Sequence, residues 1–319
     1  NTFPYEMAYD DPRHIYVQNN KRRSAIYDYY KLDVYSGNMK IIAFGPDPEF
    51  TGFTLGSINH KDGQPLGILF DTGLGRQLLE YKQDTKEWVP HFKFYCQKPG
   101  FIPIGMYKGK MVVAGSKFSP DGKVIEDNDT NAIYLYDYKN RTFGDKLFQD
   151  PEFDAAGFTG GCRPSQGRAI TNTLSGDVDA ISYWGMNQEI IFFDKDLEQK
   201  FTAVQGVFPD HNVSPITAST DRTKMVVRIW ETDEPGEYFY VDLNKGEVRS
   251  LFKSFPWLDR SKLSRGQKIW YSARDGLKIP AIFTPTKIKT DRNYFVILPH
   301  GGPNTRQWIG YDGWAQFFA

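Results

Sequence analysis

Two consecutive glycines near the end of the printed sequence occupy a position where backbone groups could do chemistry. They follow the apolar run that begins at Tyr294 and stand in the sequence Pro-His-Gly-Gly-Pro. An apolar run that breaks into such a turn predicts a buried strand followed by a loop with free backbone N–H groups. These groups can stabilise the negative charge that develops on a carbonyl oxygen under nucleophilic attack. Gly301 and Gly302 are therefore candidates for an oxyanion-binding turn.

A nucleophile for this chemistry is not found in the sequence. Hydrolases that build such a turn place the catalytic serine in the pattern Gly-x-Ser-x-Gly. No serine of this chain has a glycine two positions before it. The glycine pair therefore indicates a chemistry that the chain by itself is not expected to complete.

Other residues of chemically active types are predicted to have structural roles. Four histidines show no metal-ligand spacing and are predicted to lie at the surface or in turns: His14, His60, His91 and His211. The acidic stretch Glu126–Asp129 is interpreted as a solvated loop tip, in preference to a patch that binds an amino terminus. The stretch Gly157–Gly161 lacks the Lys-Ser/Thr of a nucleotide-binding loop and is interpreted as a turn. Neither a metal site nor a cofactor is expected.

The elements that must position the glycine pair are preceded by a repeat. An aromatic-rich segment, an aspartate and a polar turn recur five times, with the aspartate at Asp33, Asp84, Asp137, Asp194 and Asp242. Subtracting these numbers gives spacings of 51, 53, 57 and 48 residues, close to the roughly 50 residues of a kelch-type propeller blade. The aspartates lack the alternating acidic neighbours of a calcium loop and are predicted to cap hairpin turns.

Strand-like runs fill the intervals between the repeated segments, and no convincing helix precedes the C-terminal segment. Examples are Pro65–Phe70, Lys110–Ala114 and Lys224–Trp230. Three or four short strands per repeat predict a mainly β chain with a β-propeller over residues 1–254. About five blades are visible, and the full number of blades is left open. A pair of stacked β-sandwiches is the alternative, but sandwiches do not need a register that persists through five copies.

The repeat ends near residue 255, and a different pattern follows. Residues 255–267 are predicted to be a linker, and residues 268–319 to be the beginning of an α/β-hydrolase domain. Lys268–Ala273 and Leu277–Thr284 flank an Asp-Gly turn and predict a hairpin. The apolar run described above predicts the next strand, and the aromatic segment that starts at Trp308 predicts the first helix.

Composition limits the classes of partner. The 39 basic and 39 acidic side chains balance, so neither nucleic acid nor an anionic membrane surface is expected as a partner. No apolar run reaches the roughly 20 residues of a transmembrane helix. Cys96 and Cys162 are predicted to be free buried thiols, with a disulfide as the alternative in an oxidising compartment. The compartment is unknown, with the cytoplasm slightly favoured, and a homo-oligomer is left open.

The blades, the sequence from Arg274 to Pro280 (Arg-Asp-Gly-Leu-x-Ile-Pro) and the Pro-His-Gly-Gly-Pro turn together resemble the prolyl oligopeptidase family of serine peptidases. Within the family, the chain is most similar to the acylaminoacyl-peptidase and dipeptidyl-aminopeptidase-like branch. The resemblance spans the whole chain, and the segment from Trp257 to Ala319 is its most specific part. It implies a two-domain enzyme in which a propeller restricts the entry of short peptides to an α/β-hydrolase domain. Hydrolysis would use a Ser-His-Asp triad and an acyl-enzyme, without a metal or an organic cofactor.

The resemblance also assigns roles within the glycine turn. In the family, the second glycine offers its N–H to the oxyanion, which places this role on Gly302. Gly301 would give the turn room, and His300 and Pro303 would support it, with His300 acting through a hydrogen bond and not as a catalytic base. The triad serine, aspartate and histidine are expected downstream. The chain is accordingly interpreted as an inactive fragment whose partner is its own catalytic domain.

Two other functions account for part of the sequence. A non-catalytic propeller that binds a protein or a glycan, with a hydrolase remnant, would explain the blades and the missing nucleophile. A lipase or carboxylesterase would share the His-Gly-Gly turn but would not explain five preceding blades. A Gly-x-Ser-x-Gly motif within about a hundred residues downstream would decide in favour of the peptidase.

Overall fold

Antiparallel β-sheets dominate the computed structural model of the chain. It describes residues 1–8, 11–24, 26–46, 55–58, 63–71, 75–95, 99–156, 158–159, 163–164, 167–172, 174–288, 291, 294–302 and 307–319. The chain divides into two compact units, residues 1–183 and residues 184–319. Each unit is described by itself.

The first unit is built from short strands in chain order. The first sheet contains β1 (Thr2–Met7), β2 (His14–Arg23), β3 (Ile26–Asp33) and β4 (Met39–Ala43). The second contains β5 (Leu55–Ile58), β6 (Pro65–Asp71), β7 (Gly75–Lys82) and β8 (Glu87–Tyr95). Further strands are β9 (Phe101–Tyr107), β10 (Lys110–Gly115), β11 (Lys117–Phe118), β12 (Val124–Glu126), β13 (Ala132–Asp137), β14 (Thr142–Phe148), β15 (Phe158–Thr159), β16 (Arg163–Pro164), β17 (Arg168–Thr171) and β18 (Val178–Trp184). Strands β14-β13-β10-β9 form the third sheet, while β11-β12 and β15-β16 are two-stranded ribbons.

The second unit adds the remaining strands and both helices. Its elements are β19 (Gln188–Phe192), α1 (Lys195–Val207), β20 (Asn212–Ala218), β21 (Lys224–Glu231), β22 (Glu234–Asp242), β23 (Glu247–Lys253), a 3₁₀ turn (Arg260–Lys262), β24 (Gln267–Ser272), β25 (Lys278–Phe283) and α2 (Gly313–Phe318). Strand order β17-β18-β19 defines a three-stranded fourth sheet, and β20-β21-β22-β23 a four-stranded fifth sheet. Strands β24 and β25 form a separate hairpin.

Five sheets of three or four strands correspond to the five repeated segments. The aromatic part of each segment lies in the third strand of its sheet, namely β3, β7, β13, β19 and β22. The prediction of a mainly β chain made of propeller-like blades is confirmed, since meandering four-stranded antiparallel sheets are the units of such folds.

The repeated aspartates close the hairpins that join the third and fourth strands. Asp33 Oδ1 accepts hydrogen bonds from the N–H groups two and three residues later, at 2.9 and 3.1 Å. Asp137 and Asp242 make the same pair of bonds at 3.1 to 3.2 Å. Backbone hydrogen bonds to the Asp137 carboxylate, chiefly from Asn140, hold its pKa below its usual range. These contacts are those of turn-capping aspartates.

The second repeat differs in register from its predicted alignment. Strand β7 ends at Lys82, so Lys82, and not Asp84, takes the position of Asp33. The backbone shows the equivalence, because Lys86 N–H donates to the Lys82 carbonyl as Gly37 N–H donates to the Asp33 carbonyl. The alignment on Asp84 was wrong by two residues, because the side chain that caps this turn in other sheets is replaced by a lysine.

The residue four positions after the strand end adopts a left-handed conformation in four hairpins. Gly37 and Gly246 occupy this position with φ of 73° and 64°, whereas Lys86 and Arg141 have φ of 59° and 55°. A side chain in this region costs roughly 1–2 kcal/mol because Cβ approaches the following carbonyl oxygen. Two of the turns therefore carry strain that the glycine-containing turns avoid.

Replacing Lys86 with glycine is expected to stabilise the protein by about 1 kcal/mol, after allowance for the greater freedom of glycine in the unfolded chain. The matched control is Gly37→Ala, which is expected to destabilise by about the same amount. No atom lies within 4 Å of a Cβ built on Gly37, so the control tests the backbone conformation alone. Urea unfolding of the two variants measures both effects, and a destabilised Lys86→Gly protein would contradict the assignment.

A helix replaces the outer strand after the fourth repeat. The sequence predicted no helix before the C-terminal segment, but α1 follows β19 directly. Asp194 begins this helix, since its Oδ1 accepts the Leu197 N–H at 2.7 Å, as N-cap aspartates do. Leu197, Phe201 and Val204 form its buried face. The prediction of a turn at Asp194 was wrong because the same side-chain capping can start either a hairpin turn or a helix.

Aromatic side chains link neighbouring sheets of the first unit. Tyr29 of the first sheet lies 6.1 Å from Trp88 of the second, ring centre to ring centre, and belongs to a buried cluster with Leu79 and Tyr81. Trp88 Nε1 also donates a hydrogen bond to the Phe44 carbonyl at 2.8 Å. Side chains from adjacent sheets therefore share one core.

A buried ion pair stabilises the first sheet. The Asp28 carboxylate is fully buried and accepts two hydrogen bonds from Arg22, at 2.7 and 2.6 Å. It also accepts the Gly45 N–H at 2.8 Å. A Cβ on Gly45 would lie 2.3 Å from the Tyr27 carbonyl oxygen, so only glycine permits this approach. Asp28 therefore joins a side chain and a loop backbone inside the sheet.

Candidate functional site

The segment after the fifth sheet begins with the predicted hairpin. Strands β24 and β25 pair from Gln267 opposite Phe283 to Ser272 opposite Lys278. Gly276 adopts φ of 88° and donates its N–H to the Ala273 carbonyl at 3.0 Å. This hairpin is the element expected to precede the glycine turn.

The apolar run that leads to the glycine turn does not form the predicted strand. Residues 294–300 have no regular secondary structure, and the side chains of Tyr294, Ile297 and Leu298 are 75%, 87% and 50% exposed. A central strand needs neighbours on both sides to satisfy its backbone groups. In the described part of the segment, β24 and β25 pair only with each other. Among the described residues, the run at residues 294–300 therefore has no strand to pair with.

The glycine turn lies at the surface. His300, Gly301 and Gly302 are exposed, and His300 Nδ1 lies 2.8 Å from the Gly301 carbonyl oxygen, to which it can donate a hydrogen bond. A Cβ built on Gly301 would meet no atom within 4 Å. Pro303 lies outside the described residues. The predicted oxyanion-binding role of Gly302 stays a prediction, since the described residues place no nucleophile beside it.

The end of the chain is anchored to the second unit by a glutamine. Gln316 in α2 donates hydrogen bonds from Nε2 to the carbonyl oxygens of Thr232 and Ser264, at 2.9 and 2.7 Å. Its Oε1 accepts the Ser264 N–H at 2.8 Å. Asp312 starts the helix by accepting the Trp314 N–H at 2.8 Å. The predicted C-terminal helix is present, and its position is defined by main-chain contacts with the β21–β22 hairpin and with Ser264, which precedes β24.

Aromatic stacking anchors the chain just before α2. The Trp308 ring lies 5.3 Å from Trp184, which lies 5.3 Å from Trp230. The neighbouring Ile309 is buried and donates its N–H to the Met186 carbonyl at 3.0 Å. Trp308 and Ile309 are thus packed, although the glycine turn before them is exposed.

A broad apolar surface runs through residues 267–319. Its exposed side chains are Ile269, Trp270, Tyr271, Leu277, Phe283, Ile288, Tyr294, Phe295, Val296, Ile297, Leu298, Trp314, Phe317 and Phe318. Large apolar side chains exposed in such number are typical of surfaces that bind a partner. This surface is called the C-terminal apolar surface below.

Side chains of the acidic stretch at residues 126–129 make contacts within the protein. Glu126 pairs with Lys146, which lowers the pKa of Glu126, and Asp127 accepts the Ser116 hydroxyl at 2.8 Å. Asn128 Nδ2 lies 3.0 Å from the Tyr134 hydroxyl. In the glycine-rich stretch, Phe158–Thr159 form β15, and the glycines lie outside the described residues, as do Cys96 and Cys162.

The histidines differ in burial. His14 and His211 are partly exposed, and His60 lies outside the described residues. His91 was predicted to lie at the surface or in a turn, which is wrong, because its side chain is only 1% exposed. It lies inside β8, where partners from two other strands compensate for its polarity. The alternation of β8 does not mark His91 as inward-facing, because it lies where the pairing of β8 with β7 is irregular.

The described ranges contain no group of three or more His, Cys, Asp or Glu side chains that could hold a metal ion. Among the helices of the described chain, none combines the length and the apolar character needed to cross a bilayer.

Known proteins match the chain over nearly its whole length. Dipeptidyl aminopeptidase BIII of Pseudoxanthomonas mexicana is 24% identical over 98% of this chain and 44% of its own. The structure of Porphyromonas gingivalis dipeptidyl peptidase 4 matches 100% of this chain and 44% of its own, with 11% identity and a TM-score of 0.52. Prolyl oligopeptidase B from Galerina marginata matches 89% of this chain and 38% of its own, with 15% identity and a TM-score of 0.49. No family model matches the sequence.

The chain spans less than half the length of the relatives it matches. The chain is thus similar in sequence to a dipeptidyl aminopeptidase, and its five blade-like sheets and following hairpin are similar in fold to a dipeptidyl peptidase 4.

Proposed function

We propose that this chain is the propeller and the opening hydrolase segment of a serine peptidase that acts on short peptides. The observation that carries the proposal is the match of 98% of the chain to a dipeptidyl aminopeptidase. The five sheets support it, because a propeller in front of a hydrolase domain restricts access to small or unfolded substrates. Residues 1–254 would form this propeller, residues 255–267 the linker, and residues 268–319 the beginning of the hydrolase domain.

The reaction would proceed through a serine nucleophile that this chain does not carry. The nucleophile would attack the peptide carbonyl, the peptide C–N bond would break with release of the protonated amine fragment, and water would then hydrolyse the remaining acyl-enzyme to the free acid and serine. A histidine base and an aspartate would come from the same further sequence. The missing Gly-x-Ser-x-Gly pattern supports this division.

Within the reaction, the chain would contribute one oxyanion donor. The Gly302 N–H would bind the oxygen that becomes negative in the tetrahedral intermediate, and Gly301 would leave room for it. His300 supports this role through its hydrogen bond to the Gly301 carbonyl. In the 319-residue chain Gly302 is exposed and the described residues place no nucleophile beside it, so the chain alone is expected to be inactive.

The exposure of the C-terminal apolar surface supports the proposal that residues 268–319 pack against a partner. We expect the remainder of the hydrolase domain to cover it, and the run at residues 294–298 to become a strand between new neighbours. The segment exposes both faces of a hairpin and three aromatic side chains of α2. Covering these groups would remove them from water and stabilise the assembled domain.

The proposal is tested on the full-length protein. Dipeptidyl, aminoacyl and acylaminoacyl nitroanilides are assayed before and after treatment with a fluorophosphonate, which labels activated serines. We expect turnover of at least one substrate, loss of turnover after treatment, and a label on a serine outside residues 1–319. A protein that neither cleaves nor labels would overturn the proposal and favour a non-catalytic binding module. The 319-residue chain serves as the negative control.

A further inference from the structure

His91 is a buried titratable residue that the proposed reaction does not use. It lies in β8 at an irregularity in the pairing with β7, where Leu78 pairs with Phe92 and Leu79 pairs with Pro90. His91 is therefore the extra residue of a β-bulge. Bulges redirect a side chain from the regular alternation of a strand, and this one directs an imidazole into the interior.

The imidazole connects the second sheet to the third. His91 Nδ1 lies 3.2 Å from Oε2 of Glu80 in β7. His91 Nε2 lies 2.5 Å from the hydroxyl of Tyr136, which is buried in β13 of the third sheet. The two rings also meet edge to face, with centres 5.7 Å apart and an interplanar angle of 86°.

Hydrogen-bond chemistry selects one neutral form of the ring. A carboxylate only accepts hydrogen bonds, so the Glu80 contact requires a proton on Nδ1 of His91. A neutral ring then has a bare Nε2, which accepts the O–H of Tyr136. One tautomer thus satisfies both contacts, and the neutral ring fits the site without rearrangement.

The charged groups around the ring shift the pKa of His91 in opposing directions. Burial is the main cause that lowers the pKa of His91, the hydrogen bond to Glu80 opposes it, and Arg141 and Lys82 add to the lowering. Lys82 Nζ lies 2.7 Å from Glu80 Oε1 and so offsets part of the carboxylate charge. Arg141 belongs to the β13–β14 turn, and its guanidinium lies 3.5 Å from the Pro90 carbonyl.

Tyrosine hydroxyls complete the surroundings of the ring. Burial raises the pKa of Tyr136 and that of the neighbouring Tyr138, so both stay neutral at the pH values at which histidine titrates. Tyr138, Glu80, His91 and Met111 also line a small cavity beside the contact. A proton added to His91 Nε2 would point at the Tyr136 O–H, which would have to turn away.

We propose that His91 forms a pH-dependent contact between the second and third sheets. The neutral imidazole stabilises the contact, and the protonated imidazole weakens it. The folded protein binds the added proton less readily than the unfolded chain does, because the pKa of His91 is lowered from 6.5. The stabilisation is therefore fully present above pH 6.5 and is lost as the pH falls below 6.5 through the folded pKa. Loosening is confined to strands β8 and β13 and their neighbours.

The test is hydrogen exchange of backbone amides in the full-length protein at pH 7.5 and pH 5.0, each corrected for intrinsic exchange rates. We expect the opening equilibrium of β8 and β13 to rise by at least about threefold at pH 5.0. Strands β2 and β3 of the first sheet are the internal reference and are expected to change less. Equal protection of β8 and β13 at both pH values would overturn the proposal, and so would a uniform change in all sheets.

Two variants sharpen the test. His91→Gln keeps one donor and one acceptor but has no titratable ring, so its β8 and β13 amides are expected to lose the pH response. His14→Gln, which removes a partly exposed histidine that contacts Asp11, is the matched control and is expected to keep the wild-type response. A His91→Gln protein with the full wild-type response would contradict the proposal. The wild-type comparison between sheets decides the question even where His91→Gln does not fold.

Discussion

Replacing Gly302 with proline in the full-length protein is expected to lower kcat by about 10²–10³-fold, because proline has no backbone N–H. The loss follows from the proposed role of this N–H as a donor to the tetrahedral oxyanion. Such a contact is stronger in the transition state than with bound substrate, so kcat and kcat/KM are expected to fall together. Steady-state kinetics with the best nitroanilide substrate measures both constants.

The matched control for this prediction is Gly302→Ala. Alanine keeps the N–H and adds one methyl group at a position that is exposed in this chain. We expect it to retain most of the rate, so that the difference between the two variants reports on the N–H. Equal kcat values for the proline and alanine variants would contradict the oxyanion role. Unchanged melting temperatures of both proteins exclude unfolding as the cause of a lost rate.

Replacing Asp28 with alanine is expected to destabilise the fold by about 2–3 kcal/mol, because its buried charged hydrogen bonds are lost while the Arg22 side chain, which is 33% exposed, can be rehydrated. The Arg22 guanidinium and the Gly45 N–H both donate to Asp28 and would lose their acceptor. The comparison is Lys123→Ala, which removes an 83% exposed side chain from the surface pair with Asp121. Surface pairs contribute at most about 1 kcal/mol.

Urea unfolding followed by tryptophan emission measures this effect, since Trp88 packs against Tyr29 next to the first sheet. Asp28→Asn provides a second step, because its amide oxygen can still accept the Gly45 N–H while the ionic contact is lost. We expect its stability to lie between those of the wild type and Asp28→Ala. A loss for Asp28→Ala no larger than that for Lys123→Ala would show that the buried pair contributes little.

The repeated sheets could be predicted because their signals are local. An aromatic strand, a capping side chain and a tight turn all lie within a few residues, so the hairpins at Asp33, Asp137 and Asp242 were found. The same signal could not distinguish a turn from a helix at Asp194, since an aspartate caps both. The two-residue shift of the second repeat could not be detected from the sequence. Its turn has the same backbone hydrogen bond as the turn at Asp33, but Lys82 stands where that turn has the capping aspartate.

The burial of His91 could not be inferred from spacing, because its partners lie on β7 and on β13 of another sheet. Glu80 is 11 residues away and Tyr136 is 45 residues away. The apolar run at Tyr294 shows the opposite limit. Its residue types have a high intrinsic preference for strands, but a strand forms only where neighbouring strands pair with its backbone.

The anchoring of α2 by Gln316 has a consequence for how the C-terminal apolar surface is covered. The contacts to Thr232 and Ser264 hold the helix backbone in place before anything binds to Trp314, Phe317 and Phe318. At α2, association then immobilises mainly side chains, at roughly 0.5–1.5 kcal/mol each, because the helix backbone is already held in place. The proposed remainder of the hydrolase domain would therefore meet a preorganised helix at α2, which favours rapid and specific association there.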